Sequence, residues 1–288
     1  MQRNSLIHGA ILALLFGGVP AAADPLPSPS PSPVAEFSSG PADAALPEAV
    51  RRQIETLRDQ VARAPEDDEL RRRLAIACHG ALLREEAVEQ FEILARRKPD
   101  DPRALLDLAL AYGSGARLDD AAATYQRLLV VAPGHPVALH NLGNLAYKRG
   151  DATTAIAWYE KAIESKPDYL IAWYHLGDAL KLGGRFRDAY RAYESVLERE
   201  PRTPEELDAY NDSLYKLASL DLAMGAVDRA RSMLEELLRA NPEHGSAHYA
   251  YGQVLLRLGR SDDARRAFDR HAAIQARKAP TSPMATEE

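Results

Sequence analysis

The sequence predicts an all-α fold in which short helical hairpins of equal length stack side by side as an α-solenoid. The first observation is a ladder of prolines spaced 34 residues apart, at Pro99, Pro133, Pro167 and Pro201. The second is that small residues, above all alanine, recur with the same period between these prolines. A fixed period of this length is typical of helical-repeat proteins, in which each unit buries its apolar face only against its neighbours.

Six repeats result when each proline is placed at position 32 of its unit. Position 20 is then alanine in every unit, and a small residue at position 8 accompanies a large one at position 24, as with Gly143 and Tyr159. Two helices approach closely only where side chains are small, so this pairing predicts an antiparallel hairpin in every unit. The predicted repeats are 68–101, 102–135, 136–169, 170–203, 211–244 and 245–278.

Glycine and proline predict where the two helices of a repeat end. Gly150, Gly184, Gly225 and Gly259 all fall at position 15, where the first helix would end in the left-handed conformation that glycine adopts at least cost. The ladder proline ends the second helix, because it disfavours helical geometry in the residue before it.

A further helix, 47–64, precedes the first repeat. Val50, Ile54, Leu57 and Val61 fall on one of its sides at helical spacing. Terminal units of a solenoid need a cap over their outer apolar face, so we expect this helix to cover the first repeat.

The ladder has one irregular step, since Pro201 and Pro242 are 41 residues apart, seven more than the period. The extra segment, 204–210, follows Thr203 and begins Pro204-Glu205-Glu206, which is typical of a helix N-terminus with a capping residue, a first-turn proline and a reciprocal acid. It therefore predicts that the first helix of the fifth repeat is longer by about two turns, or ~10 Å. A looped insertion is the alternative.

These features resemble the tetratricopeptide repeat family. The family's pattern is nearly complete in the fourth unit, and the resemblance covers 68–278. The residues that carry it are Trp173, Leu176, Gly177, Leu180, Ala189, Tyr193, Val196 and Pro201. The resemblance implies a right-handed superhelix whose first helices line a concave groove. It also implies a protein or peptide partner.

The family's geometry implies which residues face that groove. Tyr174, Tyr215 and Tyr249 share position 5 and would form an aromatic stripe suited to an extended peptide, although tyrosine here is also common for packing. The two-carboxylate clamp of some cochaperones in the family is absent, because only Asn144 matches it. The candidate partner-binding residues are His140, Asn141, Asn144, Tyr147, Lys148, Tyr174, His175, Asp178, Lys181, Tyr215, Lys216, Tyr249 and Gln253.

The N-terminal segment predicts export. Residues 1–23 combine one charge, Arg3, with an apolar run and a final Ala21-Ala22-Ala23, as a cleavable signal peptide does. We expect a disordered Pro/Ser-rich linker over 24–46 and a disordered tail over 279–288. The location would be periplasmic in a Gram-negative bacterium. Secretion and an uncleaved anchor are the alternatives.

Composition argues against several functions. The formal net charge is −6, or −7 once Arg3 is cleaved off, which is unfavourable for nucleic-acid binding. No nucleophile, phosphate-binding or haem motif is present, and His244 with His248 has no third metal ligand nearby, so we expect no cofactor, no metal and no enzyme. Cys78 is expected in the core, and Asp221, at a usually buried position, is expected to turn outward.

The sequence thus predicts a non-enzymatic interaction scaffold of the cell envelope that binds a peptide segment or domain in its concave groove. An assembly or secretion complex is the expected setting. A self-assembling structural protein is one alternative, since the last helix carries Ala264, Phe268 and Ile274 with no further helix to cover them. An enzyme with its active site in the polar groove is the other.

Overall fold

The computed structural model describes residues 46–278. The predicted signal peptide, almost all of the predicted linker and the predicted tail lie outside the described residues. Within 46–278 the chain forms thirteen α-helices and no strand, which confirms the all-α helical-repeat fold. No helix among these thirteen is long and apolar enough to cross a membrane.

The helices follow one another as hairpins after a single leading helix. Even-numbered helices are the first helices of the repeats and odd-numbered helices from α3 onward are the second. Their bounds are α1 Glu48–Arg63, α2 Asp68–Gly80, α3 Arg84–Arg97, α4 Pro102–Ser114, α5 Leu118–Val131, α6 Pro136–Lys148, α7 Ala152–Ser165, α8 Leu170–Leu182, α9 Phe186–Leu197, α10 Pro204–Ala223, α11 Val227–Ala240, α12 Gly245–Arg257 and α13 Ser261–Lys278.

The two helices of a repeat cross where a small residue meets a large ring, as the sequence predicts. A Cβ built onto Gly143 would lie 2.5 Å from Cε1 of Tyr159, and one built onto Gly252 would lie 2.5 Å from Cε1 of Phe268. Real Cβ atoms essentially never come so close, so these crossings admit no side chain larger than hydrogen. Tyr159 is fully buried as a result.

The turn between the helices of a repeat uses a left-handed residue. Gly150, Gly184, Gly225 and Gly259 have φ between 73° and 83°, which confirms their predicted role. In the first two repeats Leu82 and Ala116 occupy the same place, with φ of 62° and 60°. A side chain with a Cβ adopts this conformation at a cost, so these two turns carry strain that the other four lack.

Helix α1 covers the first repeat, as predicted. Ile54, Leu57 and Val61 are buried against Leu74 and Cys78 of α2 in one apolar cluster. Arg58 of α1 forms an ion pair with Glu86 at the start of α3, at 2.5 Å, and both side chains are mostly buried. Apolar contacts and one charged pair together fix the cap on the stack.

The irregular step of the proline ladder lies in α10, which has 20 residues where the other first helices have 13. The Thr203 hydroxyl accepts a hydrogen bond from the Glu206 N–H at 3.2 Å, and the Glu206 carboxylate accepts one from the Arg202 N–H at 2.7 Å. These bonds satisfy two backbone donors at the helix start. The insertion is therefore helical, and the looped alternative is wrong.

Asp221 does not turn outward, and that expectation is wrong. Its side chain is completely buried in α10. Arg229 of α11 donates to it at 2.7 Å, and the Tyr190 hydroxyl of the preceding repeat donates at 3.2 Å. A buried carboxylate is tolerated when a cation and further donors satisfy it, so Asp221 joins the fourth and fifth repeats.

At the C-terminal end, α13 packs back on its own repeat. Ala264 and Ile274 are buried, Phe268 is half-buried and Ala272 is exposed. Ile274 lies beside Gly245 at the start of α12, where its Cγ2 would be 3.3 Å from an added Cβ. Helix α12 therefore covers part of the apolar face of α13 that was expected to be uncovered.

Candidate functional site

The inner face of the stack is formed by the first helices. In the second half of the chain α6 contacts α8, α8 contacts α10, and α10 contacts α12, in addition to the contacts within hairpins. First helices that contact one another across a repeat boundary lie on the inside of the curvature, so their exposed side chains line a groove.

A pocket of about 650 Å³ lies in this groove. Helix α8 and the residue before it form one wall, the N-terminal half of α10 forms the opposite wall, and the turn before α12 closes one end. Its lining residues are Tyr169, Ile171, Tyr174, His175, Glu205, Asp208, Ala209, Asn211, Asp212, Asn241 and His244.

A cluster of rings from α6, α7 and α8 lies next to this pocket. The centroid of the His140 ring is 5.1 Å from that of His175 and 5.3 Å from that of Tyr169, and the Tyr174 ring stands edge-on to His175 at 5.0 Å. His140 is buried, with 7% of its surface exposed, and its Nε2 has no hydrogen-bond partner among the described residues. Burial lowers the pKa of His140 to about 3, and burial also lowers the pKa of His175.

Lys216 of α10 holds the next part of the groove together. Its Nζ donates to Oδ1 of Asp178 at 2.5 Å and to the Tyr174 hydroxyl at 2.8 Å, and it lies 3.2 Å from Oδ2 of Asp212. Asp178 also accepts from the Tyr193 hydroxyl at 2.6 Å, and Asp212 from the Tyr174 hydroxyl at 2.5 Å. Burial, followed by the hydrogen bond to Asp212, raises the pKa of Tyr174. These candidate residues therefore bond chiefly to one another across α8 and α10.

The remaining predicted groove residues are spread along the inner face. Asn141, Asn144 and Lys148 line a smaller cavity of about 220 Å³ between α4 and α6, where Asn144 accepts from the Tyr159 hydroxyl at 2.7 Å. Tyr147 is half-buried, whereas Lys181 and Gln253 are exposed. The lining of the large pocket includes Tyr174 and His175 from the predicted set.

The three position-5 tyrosines do not share one environment. Tyr174 is bonded into the Lys216 network, and the Tyr215 ring packs 5.6 Å from His244. Tyr249 is 47% exposed and packs on Phe268 and His271. Each of the three rings contacts a different histidine, so the predicted stripe is a series of separate ring contacts.

The large pocket is lined mainly by residues outside the predicted set, among them Tyr169, Glu205, Asp208 and Asn211. Two of them, Glu205 and Asp208, belong to the seven-residue extension of α10. The irregular step of the ladder was the available signal, because it placed extra turns of helix beside the groove. Tyr169 precedes α8 in a turn, and no periodic pattern indicates where such a residue points.

The described residues hold no group of three or more histidine, cysteine, aspartate or glutamate side chains placed to bind a metal ion. His244 and His248 have other roles. His244 caps α12 by accepting from the Ala247 N–H at 3.0 Å, and Nε2 of His248 lies 2.9 Å from the Pro242 carbonyl oxygen.

Family models match most of the helical region. A tetratricopeptide repeat model matches 83–136 and 215–283, a TPR repeat model matches 143–184, and a further tetratricopeptide repeat model matches 171–203. The chain belongs to the tetratricopeptide repeat family. Tetratricopeptide repeats are protein-interaction modules and are generally not enzymes, so this tetratricopeptide repeat protein is an interaction scaffold.

Solved structures agree with this fold. MamA is 21% identical with a TM-score of 0.51, over 59% of this chain and 96% of that chain. YrrB, described as a TPR protein with an unusual peptide-binding site, is 20% identical with a TM-score of 0.54, over 66% and 94%. A tetratricopeptide repeat protein from Parabacteroides merdae is 17% identical with a TM-score of 0.56, over 78% and 86%. At these identities the likeness is one of fold. Among curated proteins no sequence matches significantly.

Proposed function

We propose that this tetratricopeptide repeat protein is a non-enzymatic scaffold of the cell envelope that binds a peptide segment or a domain of a partner protein in its inner groove. The observation that carries the proposal is the pocket of about 650 Å³ between α8, α10 and the turn before α12. The exposed acids Glu205 and Asp208 line this pocket, together with tyrosine, histidine and asparagine side chains. Tyrosine rings with a hydrogen-bonding end suit contact with a peptide.

The neighbouring structure supports a passive binding role. The Lys216 network joins α8 to α10, and the buried Tyr159 ring of α7 packs against His140 of α6 and His175 of α8. These contacts fix the helices relative to one another before any partner arrives. A groove that is already ordered loses less conformational entropy on binding, which favours affinity. YrrB, which is similar in fold, is described as having an unusual peptide-binding site.

The export part of the proposal rests on residues 1–23. Their single charge, apolar run and terminal alanines are those of a secretory signal peptide, and the periplasm of a Gram-negative cell is the proposed location. Mass spectrometry of the protein isolated separately from the envelope and cytoplasmic fractions of its native cells tests this part. A first residue of Asp24 supports cleavage and export, whereas an intact Met1–Ala23 segment on a cytoplasmic protein contradicts it.

Site-specific photocrosslinking tests the binding part. A photoreactive amino acid is placed at Ile171 or Lys181 in α8, and for comparison at Glu160 in α7 or Arg191 in α9, which are exposed on second helices. The proposal expects one partner band from both α8 positions and none from α7 and α9. Crosslinks confined to α7 and α9, or absent from all four positions, contradict a groove-binding scaffold.

A further inference from the structure

We propose that the pocket between α8 and α10 binds a lysine or arginine side chain of the partner's segment; this inference rests on the proposed function. The pocket has the charge for a cation. Three carboxylates line it, those of Glu205, Asp208 and Asp212, and no lysine or arginine does.

Two of these carboxylates, those of Glu205 and Asp208, are available to a ligand. Asp212 already accepts from the Tyr174 hydroxyl and lies 3.2 Å from the Lys216 ammonium. Glu205 and Asp208 are exposed and form no ion pair or hydrogen bond with any described residue. The helix dipole alone accounts for an acid in the first turn, such as Glu205, but Asp208 lies one turn further along α10. Two unpaired acids on one wall leave the pocket negative.

Asn211 gives an independent reason to expect a ligand. Its side chain lines the pocket and is only 9% exposed, yet it forms no hydrogen bond with any described residue. Most buried polar side chains form hydrogen bonds, and the Asn211 amide is free to form one with a group that enters the pocket. An ammonium or guanidinium group donates and never accepts, so it would use the Asn211 amide oxygen together with the two carboxylates.

The other lining residues suit the stem of such a side chain. Ile171 and Tyr169 are half-buried and present apolar surface on the α8 wall. Lysine and arginine bury their methylene stems on apolar surface while the charged end reaches polar groups. The pocket thus offers apolar contact on one wall and acceptors on the other.

The probe for this inference is a random twelve-residue peptide library displayed on phage and selected against the full chain. A counter-selection uses Ile171→Trp, which places a bulky ring in the pocket. Peptides retained by the native protein and lost with Ile171→Trp are expected to be enriched in lysine or arginine at one position. Replacing that basic residue by norleucine in a synthetic peptide should weaken binding at least tenfold in calorimetry.

Three variants test whether the residues of this pocket bind the basic side chain of the peptide. Glu205→Lys with Asp208→Lys reverses the charge of exposed residues and should abolish binding of the basic peptide. Asn211→Leu should weaken it at least fivefold, with circular dichroism checking that the helices persist. Glu160→Lys, a single charge reversal of the same kind on the exposed face of α7, should leave the affinity unchanged.

The outcomes separate the two proposals. Groove-dependent peptides with no basic preference overturn the cationic inference and leave the proposed function standing. Failure to select any peptide that Ile171→Trp loses contradicts the proposed groove function itself. Competition by free spermidine as strong as that of the peptide would assign the pocket to small cations and overturn the inference.

Discussion

The Lys216 ammonium lies 2.5 Å from an oxygen of Asp178, so a residue of the fifth repeat is ion-paired with one of the fourth across the inner groove. Both side chains are mostly buried, with 17% and 18% of their surface exposed. The Lys216 ammonium also lies 4.1 Å from the centroid of the Tyr174 ring, where a cation is attracted to the π-face.

Removing this cation should weaken the junction between the fourth and fifth repeats. Lys216→Met keeps the stem but leaves Asp178 and Asp212 facing each other without a counter-charge, which should cost about 2 kcal/mol of unfolding free energy. Urea unfolding of Lys216→Met, Asp178→Asn and the double variant measures the coupling. We expect at least about 1 kcal/mol of coupling. A coupling near zero would show that the pair does not form in solution.

His140 should make the fold sensitive to acid. Its pKa is about 3 in the folded chain because the ring is buried, and about 6.5 when unfolded, so the unfolded state takes up the proton first. This contribution to stability is complete above pH 6.5 and falls by up to about 1.4 kcal/mol per pH unit as the pH drops toward 3. His140→Phe should flatten this part of the dependence when unfolding is measured at pH 7.5, 6 and 5.

Tyr169→Phe is the control for that measurement. Its ring packs 5.3 Å from His140, and the change removes no group that titrates between pH 3 and pH 7. It should retain the slope of the native protein. An unchanged slope in His140→Phe would mean that His140 is not held neutral by the ring cluster.

The crossing between Gly143 and Tyr159 predicts a strict requirement for glycine at position 143. Gly143→Ala would place a methyl group against the buried Tyr159 ring and should destabilise the protein by about 1–3 kcal/mol. Gly113→Ala in α4 is the matched change, since nothing lies within 4 Å of a Cβ there. It should be stabilising by about 0.5–1 kcal/mol. Similar melting temperatures for the two variants would disprove the tight crossing.

The two strained turns should be improved by glycine. Leu82→Gly and Ala116→Gly each relieve a left-handed conformation and should raise stability by about 0.5 kcal/mol, after the entropy cost of glycine is deducted. Leu82 is 68% exposed, so little packing is lost. Gly150→Ala, the reverse change at φ 77°, should lower the melting temperature. A fall in stability for both glycine variants would contradict the assigned backbone strain.

The repeat architecture was readable from the sequence because its determinants are local. Glycine at position 15 and proline at position 32 end helices through backbone geometry alone, and the Thr203 cap predicts the longer α10 through its own hydrogen bond. The strain at Leu82 and Ala116 was missed because neither residue type favours a left-handed turn.

The site was less predictable because it depends on which side chains meet across repeats. Asp221 is buried since Arg229 and Tyr190 converge on it from two other helices, and no spacing along the chain indicates that. Lys216 was predicted to face the groove, but its pairing with Asp178 depends on how α8 and α10 pack. His140 shows the same limitation, because a position that faces the groove in the family is covered here by Tyr169 and His175.

The length of α10 also determines the direction from which the chain reaches it. An α-helix rotates about 100° per residue, so seven added residues end within about 20° of two whole turns. The connection from α9 therefore meets α10 on the same angular side as in a regular repeat, only further along the axis. Five added residues would have brought it in roughly 140° away, so a heptad is a length of insertion that this stack can accept without rerouting its backbone.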